Sequence, residues 1–305
     1  MKMIQTIGAL VLPVMMSLGA AAQTSTTTTS QTEQLTVPLS EPGKPYRLNV
    51  DLVYGSIKIV GYEGKDIVID AESGDKRKSR ERDRDKDDEG TNVNVNINTN
   101  ISGSKGKEST TGMKKLTAAG SGLDLSAQEK ANRVTINSNS WMKAVHLVIK
   151  VPANGATLKL STVNNGDITV SNINGELEVN NTNGAVTLTN VSGSVVANTV
   201  NGSMIVSFKS VDPKAPMAFT TLNGKVDVTF PADVKVNIKA KSDRGEVYSD
   251  FDVDVDKTAP KVTRSTEKGL YKLNVEDWIQ GKINGGGPET MMKTMNGNIY
   301  IRKAK

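Results

Sequence analysis

The chain has 305 residues, a formal net charge of +5, one histidine and no cysteine. Without cysteine there are no disulfides, no thiolate catalysis and no zinc–thiolate site, and a lone histidine removes His-cluster metal centres. The mild basic excess is spread along the chain rather than gathered into a stripe, so no nucleic-acid partner is expected.

Residues 1–22 read as a signal peptide: Lys2, an apolar stretch from Ile7 to Leu18, then Ala20-Ala21-Ala22 before Gln23. Small residues at the first and third places before the cut fit the cleavage rule. Pro13 breaks the stretch, and no later segment approaches the ~20 apolar residues that span a bilayer. The expectation is an exported protein, in the periplasm, on the outer surface or extracellular, with no transmembrane segment after cleavage. Residues 23–34, mostly Thr, Ser and Gln, read as a flexible tether.

A β-strand-repeat domain is expected over 35–305. Alternation begins at Leu35-Thr36-Val37 and continues through Tyr46–Val50, Ser56–Val60 and Asp66–Ile69. A mobile insertion is expected at about 73–130. Within it Asp75–Glu89 carries seven basic and seven acidic residues, and Asn92–Asn98 alternates Asn with Val or Ile. A short helix is allowed at most near Leu123–Lys130 or Glu276–Gln280. Strands resume at Arg133–Ile136 and Val145–Pro152.

Then comes an internal repeat. Gly166, Gly175, Gly184, Gly193 and Gly202 fall at a strict nine-residue interval, and Asn165, Asn174, Asn183 and Asn201 precede four of them. Each unit has two apolar residues in alternation, such as Ile168 and Val170 or Val186 and Leu188, followed by an Asn-Gly bend that tolerates positive φ. Nine residues cannot circle a core, whereas two units can. The predicted fold is therefore all-β, a single-chain parallel β-solenoid with two short strands per ~18-22 residue coil and little or no helix. Later turns fall at Asn223-Gly224, Arg244-Gly245 and Asn296-Gly297. An antiparallel meander of hairpins is the competing reading of Asn-Gly.

The segment Leu147–Pro152, the Asn-Gly run from Asn165 to Gly202, Gly224–Ala232, Gly245–Phe251 and the ending Gly285-Gly286-Gly287 with Thr294–Ile301 together resemble a bacterial family of β-strand-repeat proteins. That family is labelled "putative adhesins", or DUF4097. The resemblance is good from about 145 to 305 and weaker over 35–72. It implies a repeat architecture and brings no catalytic residues with it. The insertion and Arg244 depart from its pattern.

No catalytic, cofactor or metal site is expected. Calcium-binding β-rolls place an Asp at every turn, whereas here Asp167 alone follows a repeat glycine closely. Asp250, Asp252, Asp254 and Asp256 alternate with apolar residues and read as a solvated face, with a cation site as the alternative. His146 reads as a surface-facing strand residue, and Trp141 and Trp278 as caps over the solenoid's ends. The candidate outward face is Thr169, Thr187, Ile205 and Asp227, with Asn165, Gly166, Asn174, Gly175, Asn183, Gly184, Gly193, Asn201, Gly202, Asn223, Gly224, Asn296 and Gly297 as structural turns. The expected function is a non-enzymatic surface for adhesion, scaffolding or envelope-stress sensing at the bacterial cell envelope, toward an unknown envelope protein or polysaccharide. The alternative is a solenoid polysaccharide lyase or hydrolase using Asp, Lys and Arg.

Overall fold

The computed structural model describes residues 32–74, 125–138, 143–256, 261–267, 270–276 and 278–305. The signal peptide, most of the tether, the charged run 75–89, the Asn-rich run 92–98 and Trp141 lie outside the described residues.

Every described regular element is a strand. The central coils follow the nine-residue units. Strands β8 (Asn154–Asn164), β10 (Asn174–Asn183) and the second half of β11 (Val186–Asn201) lie side by side and parallel in one wall. Strand β9 (Ile168–Ser171), the first half of β11 and β12 (Met204–Val211) do the same in the opposite wall. Val186 pairs with Ile168 and with Met204, each eighteen residues away, and the strands are parallel. That register excludes the meander. It also sets the core: Ile168, Val170, Val186, Leu188 and Val206 are buried, and each such side chain taken from water contributes roughly 1.5–3 kcal/mol.

Strand order departs from sequence order at both ends. Strands β2 (Tyr46–Tyr54) and β3 (Ile57–Tyr62) form a coil stacked on β8 and β9. Outside them lie β6 (Arg133–Ser138) and β7 (Ala144–Pro152), although β7 runs straight into β8 in sequence. The chain therefore steps over one coil between Pro152 and Asn154, and an earlier segment fills the gap. The mirror event occurs at the other end. Strands β13 (Met217–Asn223) and β14 (Val226–Phe230) stack not on β15 (Val236–Arg244) and β16 (Val247–Ser249) but on β21 (Glu289–Asn296) and β22 (Ile299–Lys303), which lie between them.

Antiparallel strands close the stack. At one end β5 (Leu125–Lys130) pairs with β6, β4 (Ile67–Gly74) with β7, and β1 (Thr32–Val37) with β4. At the other, β20 (Ile279–Ile283) pairs with β15, and the short β17 (Asp254–Val255) with β20. Strands β18 (Lys261–Glu267) and β19 (Leu270–Glu276) pair with each other. Reversed strands at the ends cover edges that a parallel coil would leave open to further pairing.

Three sequence expectations change. The tether ends earlier than residue 34, because β1 starts at Thr32. Where they are described, the segments allowed as helix hold strands: β5 alternates half-buried and exposed residues against β6, and β20, from Ile279, lies along β15. Residues 125–130 thus belong to the stack rather than to a loose insertion. Gly245 does not follow Gly224 in space, since Gly297 stands between them.

Candidate functional site

The Asn-Gly turns gather on one side of the stack. At this corner Gly55, Gly166, Gly184, Gly202, Gly224, Gly297 and Gly245 form a column, each so close to the backbone carbonyl of the one before that no Cβ would fit. Asn165 has a positive φ of 50°, and its amide donates to Tyr54 Oη at 3.2 Å. The asparagines ahead of the later glycines form a ladder: Asn201 Nδ2 donates to Asn183 Oδ1 at 2.8 Å, Asn223 to Asn201 at 2.7 Å and Asn296 to Asn223 at 2.6 Å. Asn174, Gly175 and Gly193, expected as turns, instead lie within strands β10 and β11, where Asn174 pairs with Ser192 and Gly175 with Gly193; on this other side of the stack the asparagines with positive φ are Asn172 (58°) and Asn190 (53°).

A third residue type, missed in the sequence reading, completes the Asn-Gly corner. Thr199 Oγ1 donates to Gly184 O at 3.1 Å, Thr221 to Gly202 O at 2.9 Å and Thr294 to Gly224 O at 2.9 Å. Each hydroxyl satisfies a carbonyl of the neighbouring coil that the turn would otherwise leave unpaired. The signal was present as Thr-x-Asn-Gly at 199–202, 221–224 and 294–297. In the equivalent place Asn181 donates to Gly166 O at 2.9 Å, and its own Oδ1 is buried without a partner.

Between the Thr and the Asn of each motif the intervening side chain points outward. Val200, Leu222 and Met295 are 39%, 42% and 38% exposed, and they occupy neighbouring coils because their flanking residues are in register. Val53 and Val163 form a separate exposed apolar pair toward the other end, with Thr182 standing between Val163 and Val200. These apolar residues also escaped the sequence reading, because each sits beside a turn rather than on a recognised strand face.

The predicted outward row is contiguous: Thr169 pairs with Thr187, Thr187 with Ile205 and Ile205 with Asp227. Thr169 and Thr187 are half-buried and Ile205 is exposed. Asp227 is not open, at 6% exposure. Arg302, one coil over, donates Nε to Oδ1 at 2.7 Å and Nη2 to Oδ2 at 3.2 Å, and Lys225 Nζ lies 3.2 Å from Oδ2. Burial pushes the Asp227 carboxyl up, but these two cations outweigh it and hold the group below the usual carboxylate range. The row ends in Tyr300 and Tyr248, whose rings stack at 5.3 Å with Arg302 over Tyr300 at 4.9 Å.

A shallow cleft of ≈ 480 Å³ opens on the other wall, lined by Arg47, Arg133, Thr157, Lys159, Glu176 and Glu178 among others. Lys159 Nζ lies 2.9 Å from Glu178, and that bond leads the effects lowering the pKa of Glu178.

The four alternating aspartates do not form one strand face. Strand β16 ends at Ser249 and β17 holds Asp254–Val255 alone, while Asp250 accepts from Lys303 N at 3.3 Å. Among the described residues no group of three or more His, Asp or Glu is placed to hold a metal ion. His146 is half-buried, with Nδ1 2.7 Å from Ser56 Oγ. Trp278 precedes β20, with Lys239 Nζ 4.9 Å over its ring.

This parallel stack with Thr-x-Asn-Gly corners runs through the segment that a known family model covers. Residues 162–301 match the Toastrack family, DUF4097. The resemblance drawn from the Asn-Gly run therefore holds over that Toastrack segment. No curated protein matches the chain. Two solved structures are similar to it. A "putative cell adhesion protein" from Clostridium sporogenes ATCC 15579 is 12% identical, with 90% of this chain and 100% of that one covered and a TM-score of 0.39. A "putative adhesin" from Bacteroides fragilis NCTC 9343 is 10% identical, with 90% and 98% covered and a TM-score of 0.35. Likenesses this distant say nothing about a ligand. No helix among the described residues is long and apolar enough to cross a membrane.

Proposed function

We propose that this protein is an exported, non-enzymatic β-solenoid that presents an extended surface at the bacterial cell envelope, for adhesion, scaffolding or the sensing of envelope stress. The observation that carries this reading is the ridge of Val200, Leu222 and Met295 beside the asparagine ladder. Apolar side chains held in line on a backbone fixed coil by coil suit contact with another macromolecule, because the surface is ordered before binding and loses little entropy on contact. The leader-like residues 1–22 support export. The partner is an envelope protein or polysaccharide.

The enzymatic alternative, a polysaccharide lyase or hydrolase, has the cleft with Arg47, Lys159, Glu176 and Glu178 in its favour. Two measurements test the main reading. Expressed with its own leader in a Gram-negative host, the protein is expected in the periplasm with residues 1–22 removed, as read by intact mass; retention in the cytosol with the leader attached would overturn export. Incubated with cell-wall and capsular polysaccharides, it is expected to bind without creating new chain ends; release of reducing or unsaturated ends would establish the enzyme.

A further inference from the structure

The wall opposite the predicted outward row carries a set of cations that the fold alone does not require. Strands β5 and β6 are joined by the two-residue turn Ala131-Asn132, with φ of 51° and 57°. The turn makes Lys130 and Arg133 cross-strand partners. Arg133 is in turn the partner of Arg47, and Arg47 of Thr157. Neighbouring strands lie about 4.8 Å apart, so three cations stand within about 10 Å at their roots. All three are exposed, and none has a carboxylate partner among the described residues. Like charges placed directly opposite each other in a sheet are destabilising.

The turn that creates this repulsion is locked in place. Asn132 is buried, its Nδ2 donates to Glu41 O at 2.8 Å, its Oδ1 accepts from Glu41 N at 2.7 Å, and its carbonyl accepts from Arg47 N at 2.8 Å. Glu129 Oε1 accepts from Asn132 N at 2.9 Å and from Ser40 Oγ at 2.7 Å. The bases of Arg47 and Arg133 therefore cannot move apart, and both side chains line the cleft. On the far side of Thr157 stands its partner Glu176, exposed and negative.

We infer that this end of the cleft is an oxyanion site, and that it takes the single carboxylate or phosphate group of an acidic saccharide. Arg47 and Arg133 supply paired N–H donors to the oxyanion, a geometry that guanidinium groups fill bidentately. Lys130 adds charge at the rim, while Thr157 and Asn49 offer neutral polar groups to the hydroxyls of the sugar body. Glu176 sets the limit: a second anionic group beyond Thr157 meets a carboxylate, so the site prefers an isolated or terminal acidic residue to a uniformly charged polymer. This inference stands without the export reading.

Isothermal titration of the chain lacking residues 1–22 with glucuronate, glucose 6-phosphate and glucose tests it. Binding of at least one acidic sugar is expected, with glucose silent, and whichever of the two binds identifies the oxyanion. Arg47→Gln and Arg133→Gln should each weaken binding at least tenfold and leave the melting temperature at low salt unchanged or higher, because each relieves repulsion. Lys58→Gln, an exposed cation on the other wall, should leave binding unchanged. Glu176→Gln should strengthen binding of a polyuronate severalfold and keeps the test open if an arginine variant fails to fold. Absence of binding at millimolar acidic sugar, or an equal loss in Lys58→Gln, would overturn the site. Turnover of a polyuronate would overturn the non-enzymatic reading and leave the oxyanion site standing.

Discussion

Thr221 Oγ1 donates to the carbonyl oxygen of Gly202 at 2.9 Å, and the two residues sit in neighbouring coils. The bond links the turn of one coil to the strand of the next, and Thr221 is 3% exposed, so water cannot take the hydroxyl's place. Thr221→Val keeps the shape and removes the donor. The expected loss is about 1–3 kcal/mol, the cost of an unsatisfied buried carbonyl, read by urea unfolding. Stability equal to the wild type would show that the carbonyl needs no partner.

Asn181 holds the matching position two coils earlier and leaves its Oδ1 buried and unpartnered. Asn181→Thr should keep the bond to Gly166 O and delete the orphan acceptor. Stabilisation of about 1 kcal/mol is expected in the same assay. A less stable variant would mean that the larger amide fills space a threonine leaves empty.

Gly184 has φ of +152°, and a Cβ there would meet Gly166 O at 2.2 Å. Gly184→Val must therefore push two coils apart as well as strain its own backbone, and a loss of more than about 2 kcal/mol is expected. Val186→Asp, two residues on, places an unpaired charge at a position with no exposure and should abolish folding. Circular dichroism and denaturant melts check both; a soluble, cooperatively folding Val186→Asp protein would contradict the core described above.

Thr169 and Thr187 are register partners in parallel strands. Cysteines at both positions are expected to form a disulfide under mild oxidation, because neighbouring strands fall within bridging distance, and Cys pairs at 169 and 178 are not. Peptide mapping under non-reducing conditions reads the result.

The Asp227 carboxyl is held below its ordinary range in the folded chain. A depressed folded pKa contributes stability that is complete above the unfolded value of about 3.9 and is lost as pH falls through the folded value. Wild type should therefore exceed Asp227→Asn in melting temperature at neutral pH by the equivalent of about 1–2 kcal/mol. The difference should shrink below about pH 4. A gap that persists unchanged at pH 2.5 would assign the loss to packing rather than to charge.

The repeat alone determined much of this protein. Nine-residue spacing, two apolar residues per unit and Asn-Gly bends pointed to a parallel stack with Val186 between Ile168 and Met204, because equal units bury their apolar faces best by lying one upon another, and the observed register then excluded the meander of hairpins. Period-two alternation likewise told which side of each strand faces in. It carries no information about which coil neighbours which. The placement of β2 between β6 and β8 and of β3 between β7 and β9 on one side, and of β21 between β13 and β15 and of β22 between β14 and β16 on the other, was decided by tertiary packing, since any strand of matching length and pattern fills the same slot. The covering of Asp227 and the pairing of Arg47 with Arg133 depend on those insertions: Arg302 arrives with β22, and Arg47 with β2. Charges far apart in sequence became neighbours where the chain stepped over a coil, and no local pattern marks that step.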